Sequence, residues 1–279
     1  IFMKKLLLLF LLAFLAVPIA SAEESVVTLT TTLDEGASIK LYTWADSMDD
    51  AFTIDWGDGV EKIYNKVKPS WTYGSEITGK LGASKTITIK GDITYLEIKE
   101  MQISAATFAN TKLKEVDMEK NQLTDFNLSG LPEVTKLSLN ENSIVTFSST
   151  GNSVLKNLGL KSNKIDSHQF EISSLANSLE QLNVSENGEN FVALNLINFD
   201  KLQYFTANDN PELTTVVFYD GSTNLKQISM NNCHIMHFYA ISLPNLNSLN
   251  LSNNALLDFE NGTYPNLSTL SVNGNYLSE

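Results

Sequence analysis

Three groupings of residues in this chain have types and spacings that chemistry uses. Cys233-His234-x-x-His237 places a thiol and two imidazoles close together, the donor set of a tetrahedral metal site. Asp46, Asp49, Asp50, Asp55 and Asp58 offer the oxygen ligands that calcium takes. Their spacing lacks the regular alternation of an EF-hand loop, so a solvated acidic loop around a structural turn is the reading they favour. Glu97 and Asp117, with Lys99 and Glu119 nearby, supply the paired carboxylates of glycosidase chemistry. No phosphate-cradling glycine loop, dinucleotide fingerprint, nucleophile elbow or H-E-x-x-H motif occurs, and the third histidine, His168, stands apart. The formal charge is −13 and all 19 basic residues are lysine. An acidic chain without arginine is poorly suited to nucleic acid, because counterion release needs clustered cations and base readout favours the guanidinium fork.

What positions these groups is a repeat. Leu246-Asn-Ser-Leu249-Asn-Leu251-Ser-Asn-Asn254-Ala-Leu256 reads L-x-x-L-x-L-x-x-N-x-L, the signature of a leucine-rich repeat. Its first apolar position recurs at Ile93, Leu113, Val134, Leu155, Leu179, Leu202, Leu225, Leu246 and Leu267, at spacings of 20 to 24 residues. Further apolar residues follow three and five places on. The pattern predicts a mainly β fold, a right-handed solenoid of about nine repeats with a parallel concave sheet. No single repeat can bury its own apolar face, so neighbours have to stack.

Eight residues into each repeat stands Asn121, Asn142, Asn163, Asn187, Asn210, Cys233, Asn254 or Asn275, with Met101 in the first. An amide there can satisfy backbone groups left unpaired where the strand turns, and leaving such a group unmade costs about 1–3 kcal/mol. Five residues further on, Phe126, Phe147, Phe238 and Phe259 predict a convex aromatic spine. Pro132, Pro244 and Pro265, two residues before a repeat start, fix the approach to the strand. Extra residues after Asn187 and Asn210 predict bulged convex turns.

This register changes the meaning of the opening candidates. Cys233 falls on the asparagine ladder, and His234 and His237 fall on the turn around Ile235, so a rung with surface histidines is expected and no metal. Glu97 and Asp117 become neighbours on an open sheet that excludes no water, with Lys99 as counter-ion, so no catalytic residues and no cofactor are expected. The outward concave positions are then the candidate ligand contacts: Tyr95, Glu97, Asp117, Glu119, Asn140, Asn183, Tyr204, Asn208, Asn231 and Asn250. Their N-terminal part is charged and suits a basic protein. The C-terminal part is a lawn of asparagine, serine and threonine that suits sugar hydroxyls or a polar protein surface. Such residues also serve as plain soluble filler.

Ahead of the repeats, residues 23–91 alternate β-branched and aromatic residues with turn residues, which predicts a small N-terminal β-sandwich capping the solenoid. Within it Phe52-Thr-Ile-Asp-Trp56-Gly57-Asp58-Gly59 resembles the W-G-D-G element of PKD-like (polycystic-kidney-disease-like) domains. Trp56 is expected in the core, Gly57 and Gly59 in a tight turn, and Asp58 as the acceptor of its amides. Lys4-Lys5, the apolar stretch Leu6 to Val17 and Ala20-Ser21-Ala22 read as a cleaved secretory signal over residues 1–22. Cleavage removes two lysines and leaves no membrane span. Ile1-Phe2 before Met3 read as a translation artefact. The repeat domain, 92–279, stops inside a repeat, which predicts truncation. The lone cysteine excludes an internal disulfide.

Repeat class and companion unit together resemble bacterial internalin-like leucine-rich-repeat surface proteins, especially secreted Bacteroides-type ones with a PKD-like N-terminal domain. The resemblance implies a secreted or cell-surface, non-enzymatic protein that adheres to a protein or glycan through its concave face. A structural spacer within a larger surface protein is the alternative. Neither ligand identity nor oligomeric state follows from the sequence.

Overall fold

In a computed structural model of the chain, the structure describes residues 23–44, 51–65, 75–218, 224–238, 242–259 and 262–277. The expected signal, Asp46, Asp49 and Asp50 of the acidic run, and Ser278-Glu279 lie outside the described residues. The architecture is nearly all strand. Nine short strands, one per repeat, lie side by side in parallel: Tyr95–Glu97, Glu115–Asp117, Lys136–Ser138, Asn157–Gly159, Gln181–Asn183, Tyr204–Thr206, Gln227–Ser229, Ser248–Asn250 and Thr269–Ser271. Their register is flush, so that Leu137 pairs with Val116 on one side and Leu158 on the other. Equal repeat positions are therefore lateral neighbours about 4.8 Å apart. Among the described residues this is the expected leucine-rich-repeat solenoid.

Burial follows the repeat. In the first eight repeats every residue at the first, fourth and sixth positions is 2% exposed or less, whereas Leu270 on the sheet's last strand is 46% exposed. A strand's core residue thus needs a neighbour on both sides, which is why the array gains its stability cooperatively. Burying each aliphatic side chain contributes about 1.5–3 kcal/mol.

After each strand the chain turns through one residue of left-handed backbone. Glu100, Lys120, Glu141, Ser162, Glu186, Asp209, Asn232, Asn253 and Gly274, one position before the ladder, have φ between 55° and 70°. Only the last is glycine, so in most repeats the turn holds an L-residue against an intrinsic cost of roughly 1–2 kcal/mol. The ladder compensates. Asn163 donates from Nδ2 to the carbonyls of Leu160 and Leu139, at 3.1 and 3.0 Å, and its Oδ1 accepts the Ile144 amide at 3.0 Å. Asn121, Asn142, Asn187, Asn210, Asn254 and Asn275 repeat this bridge between adjacent coils.

The convex side is less regular than its sequence pattern. Ring contacts run from Phe108 to Phe126, then Phe147–Phe170–Phe191, then Phe205–Phe218–Phe238–Phe259, at 5.7–6.1 Å. Phe108, Phe170, Phe191 and Phe218 are spine members that a fixed offset from the ladder misses: Phe108 lies on the long strand Ile103–Ala109 of the first repeat, and inserted residues shift the offset of the other three in the longer repeats. The insertions after Asn187 and Asn210 close as tight turns, Phe191 N–H to Gly188 C=O and Leu213 N–H to Asn210 C=O. The 24-residue step from Leu155 to Leu179 is taken up by two 3-10 turns, Ser167–Gln169 and Ser173–Leu175. Each proline before a repeat sits second in a hydrogen-bonded turn, such as Val134 N–H to Leu131 C=O around Pro132.

The N-terminal strands are β1 (Val26–Thr31), β2 (Ser38–Trp44), β3 (Ala51–Asp55), β4 (Glu61–Asn65), β5 (Ser75–Lys80) and β6 (Thr86–Lys90). β7 (Tyr95–Glu97) opens the repeats and β8 (Ile103–Ala109) follows it. One sheet runs β4-β3-β6-β1-β8, while β2 and β5 extend the solenoid sheet beyond β7. Backbone pairing therefore crosses from the N-terminal strands into the first repeat on both layers, through β1–β8 and β2–β7. Trp56 is fully buried and rests on Gly79 of β5, where any side chain would collide with the indole. Gly57 and Gly59 carry φ of 97° and 77°. The acid that holds their turn is Asp55, whose Oδ1 accepts the amides of Gly57 at 2.8 Å and Gly59 at 3.1 Å. Asp58 accepts only that of Val60. Asp55 is the better placed because its side chain enters the turn from the strand, ahead of the amides it binds.

Candidate binding surface

The concave sheet divides into three zones according to what its outward side chains already hold. At the N-terminal end Trp44 of β2 stacks on Tyr95 of β7, centroids 3.6 Å apart and planes 7° apart. The Tyr95 hydroxyl donates to Glu97 Oε2 at 2.5 Å, and burial together with that carboxylate holds the phenol in its protonated form, its pKa well up. Lys99 Nζ lies 2.6 Å from Asp117 and 3.6 Å from Glu119. Burial alone would lower the Lys99 pKa, but Asp117, Glu97 and Glu119 outweigh it and raise it. Glu119 also accepts from Ser138 Oγ at 2.5 Å and Asn140 Nδ2 at 2.6 Å, and these bonds with Lys99 overcome its burial and lower its pKa. Asp117 is the deeper acid; burial, reinforced by the charge of Glu119, holds its carboxyl up despite the ion pair. The expected adjacency of Glu97 and Asp117 is present, and so is the counter-ion. What the sheet brings together is a closed network in which Tyr95, Glu97, Asp117, Glu119 and Asn140 all hold one another or Lys99.

At the C-terminal end the lawn is likewise self-engaged. Asn208 Oδ1 accepts from Ser229 Oγ and the Asn231 amide, Asn231 Oδ1 from Asn250 Nδ2, and Asn250 Oδ1 from the Ser252 amide and hydroxyl. Ser229 and Ser252 are buried. Asn208, Asn231 and Asn250 thus brace the sheet with their carbonyl oxygens.

Between these ends lies a hollow. Along one row the lateral neighbours are Lys136, Asn157, Gln181 and Tyr204; along the next, Ser138, Gly159, Asn183 and Thr206. Gly159 contributes no side chain, so the sheet surface sinks between Ser138 and Asn183, and the surrounding residues line a depression. A Cβ at Gly159 would approach Asn140 Oδ1 to 2.9 Å. Among the described residues, the side-chain amides of Asn157 and Gln181 have no hydrogen-bond partner, and Asn183 uses only its oxygen, on the Ser185 amide. Tyr204 is 40% exposed, the one large aromatic presented by the middle of the sheet. Gly159, Asn183 and Tyr204 were legible as outward positions; the hollow formed at Gly159 and the open amides of Asn157 and Gln181 were not, because a glycine and two amides carry no signal until their neighbours are known.

The cysteine–histidine grouping is dispersed. Cys233 is a buried rung whose Sγ–H points at the Ala207 carbonyl at 3.1 Å, and burial pushes its thiol up to about 11. His237 Nδ1 lies 3.0 Å from Asp258, and His234 is exposed beyond buried Ile235. Among the described residues no cluster of His, Cys, Asp or Glu has a metal-holding arrangement. No helix among them is long and apolar enough to cross a membrane.

No protein-family model matches the chain, and no curated protein matches it. Among solved structures it is similar to the functional domain of InlJ from Listeria monocytogenes, which includes a cysteine ladder. The TM-score is 0.56 and the identity 19%, over 67% of this chain and 40% of that one. It is also similar to the LRIM1 leucine-rich repeat domain, with TM-score 0.43 and 19% identity over 59% of this chain and 60% of that one. YopM from Yersinia enterocolitica WA-314 follows, with TM-score 0.26 and 17% identity over 67% and 66%. The InlJ match is one of fold: both chains are leucine-rich-repeat solenoids.

Proposed function

We infer that this solenoid is an exported, non-catalytic binding protein that adheres to a protein or glycan through its concave sheet. The observation that carries the reading is the contrast among the three zones. Polar groups at both ends of the sheet are engaged with one another, while around Gly159 the side chains of Asn157 and Gln181 have no hydrogen-bond partner among the described residues, Asn183 uses only its oxygen, and Tyr204 stays 40% exposed with Lys226 Nζ 5.9 Å from its ring centroid. Binding surfaces are concave and place a few convergent polar groups beside an aromatic. Export rests on the signal-like residues 1–22, and a surface role of the internalin-like kind rests on that segment with the repeat class. The W-G-D-G turn supports a PKD-like unit over 23–91 ahead of the repeats at 92–279. Glu97 and Asp117 line a depression of their own beside Trp44 and Tyr95, but Glu97 is held by the Tyr95 hydroxyl and Asp117 by Lys99, an arrangement that favours a standing ion network over hydrolysis.

The test uses immobilised mucin, which offers both polypeptide and sugar. The protein should adhere, and combined Gln181→Ala, Asn183→Ala and Tyr204→Ala should abolish adhesion with the melting temperature unchanged. A convex control, Glu171→Ala with Asn195→Ala, should leave it intact. Adhesion that survives the concave changes, or that is lost equally in the control, contradicts the reading. A spacer role has one observation in its favour, the self-engaged C-terminal lawn, and predicts no adhesion by any of these proteins.

A further inference from the structure

The geometry points to a ligand class for the hollow: a neutral oligosaccharide, with one pyranose ring laid against Tyr204 and its neighbour seated over Gly159. The inference rests on the concave-face reading and deepens it.

Four features carry it. The first is shape. Asn157, Gln181 and Tyr204 occupy consecutive strands in one row, so the open stretch from Asn157 to Tyr204 spans two strand spacings, roughly 10 Å, on the order of two sugar rings. The second is the kind of polar group. Carboxamides offer a donor and an acceptor from one planar end, which matches the vicinal hydroxyls of a pyranose. Asn157 and Gln181 present both functions without a protein partner, and Asn183 presents its Nδ2. The third is the aromatic. Tyr204 gives a flat apolar face with a polar rim, which suits the C–H face of a sugar.

The fourth is charge. Of the cations near the hollow, Lys136 pairs with Glu115 at 3.5 Å, while Lys226 donates to Gln203 Oε1 at 2.8 Å and lies 5.9 Å from the Tyr204 ring centroid. Two carboxylates border the hollow, Glu115 at Lys136 and Glu119 at Ser138, and both are engaged there. Among the described residues a single lysine, Lys226, stands there without a carboxylate, too little charge to gather a polyanion that a chain of net charge −13 repels. A peptide ligand is less well served. The strands are paired on both sides, so no backbone edge is open to it, and Tyr204 is the one exposed apolar anchor lining the hollow, whose leucines, Leu137, Leu158 and Leu182, are buried beneath it. Protein hot spots cluster several buried anchors.

Saturation-transfer NMR with cellohexaose, laminarihexaose and mannohexaose tests the assignment. At least one should bind, with the signal concentrated on ring protons. Tyr204→Ala should weaken binding at least about tenfold, a loss of about 1.4 kcal/mol, while Tyr204→Phe keeps it. Gly159→Asn should abolish binding by filling the hollow. Should Gly159→Asn fold poorly, Asn157→Ala with Gln181→Ala makes the same test without touching the backbone. Binding of none of the three sugars overturns the inference, as does binding unchanged in these variants. Deglycosylated mucin bound as well as native mucin, still dependent on the concave residues, overturns the sugar assignment and leaves the concave-face reading standing. Sugar binding with concave-independent mucin adhesion does the reverse.

Discussion

Replacing Asn163 by alanine measures what the ladder contributes. Its side chain makes three strong contacts in the solenoid wall: donation to Leu139 and Leu160 C=O and acceptance from Ile144 N–H. These losses are unequal. Leu139 C=O keeps the Nδ2 of Asn142, and Leu160 C=O keeps that of Asn187, both at about the same distance. Each carbonyl therefore loses one of two donors, a net loss of about 0.5–1.5 kcal/mol apiece. Ile144 N–H has no substitute acceptor and is buried, which costs about 1–3 kcal/mol. The expected destabilisation is about 3 kcal/mol, read as a fall in the urea midpoint at unchanged slope. Asn275→Ala, in a half-exposed rung that water reaches, should cost less than half as much. Asn163→Asp should be as damaging as alanine near neutral pH, since a carboxylate keeps the Ile144 bond but faces two carbonyl oxygens. It should recover in part on acidification, when a protonated carboxyl can donate to one of them. An Asn163→Ala change below about 1 kcal/mol, or equal costs at Asn163 and Asn275, would refute the bridging account.

Other consequences follow from single positions. Cys233→Asn should stabilise by about 1 kcal/mol, because two N–H donors replace a weak S–H donor whose second contact is 3.7 Å long; a lower melting temperature would show that the rung has no room. Glu141, exposed and left-handed at φ 55°, should tolerate glycine or gain up to about 1 kcal/mol, whereas Glu141→Val should lose about 1–2 kcal/mol; equal effects would contradict the turn assignment. Glu119 has a folded pKa below its ordinary value, so its contribution is complete above that value and is lost as pH falls through the folded one. Asp117, held up, acts in the opposite sense. The stability gap between parent and Glu119→Gln should therefore close as pH drops from about 7 to below about 4, and a pH-independent gap would count against the network.

The repeat pattern carried most of the fold because its apolar positions have one physical job. A residue that must touch neighbours on both sides is confined to Leu, Ile, Val, Met, Phe or Ala, and its spacing survives in the sequence. The ladder was legible for the same reason, since few side chains bridge two carbonyls and an amide. The left-handed column was not, because Glu, Lys, Ser, Asp and Asn all stand there and only Gly274 signals the conformation. The spine was half legible, as insertions moved Phe170, Phe191 and Phe218 off the fixed offset. At the W-G-D-G turn the aspartate inside the motif drew the role that Asp55 performs. On the concave face, outward positions were countable, but which of them were free was not. Asn208 and Asn183 look alike in sequence and differ in reach: Asn208 Oδ1 ties its strand to Ser229 and Asn231 of the next repeat, while Asn183 Oδ1 only closes on Ser185 two residues along its own repeat.

That difference gives the most direct test of the binding account. Adhesion to mucin should be compared between a Gln181→Ala, Asn183→Ala, Tyr204→Ala protein and an Asn231→Ala, Asn250→Ala protein, each checked for an unchanged far-ultraviolet spectrum. The account predicts that the first loses adhesion at full stability, while the second keeps adhesion and loses stability. Adhesion lost in the second and kept in the first would place the binding surface on the lawn and contradict the account.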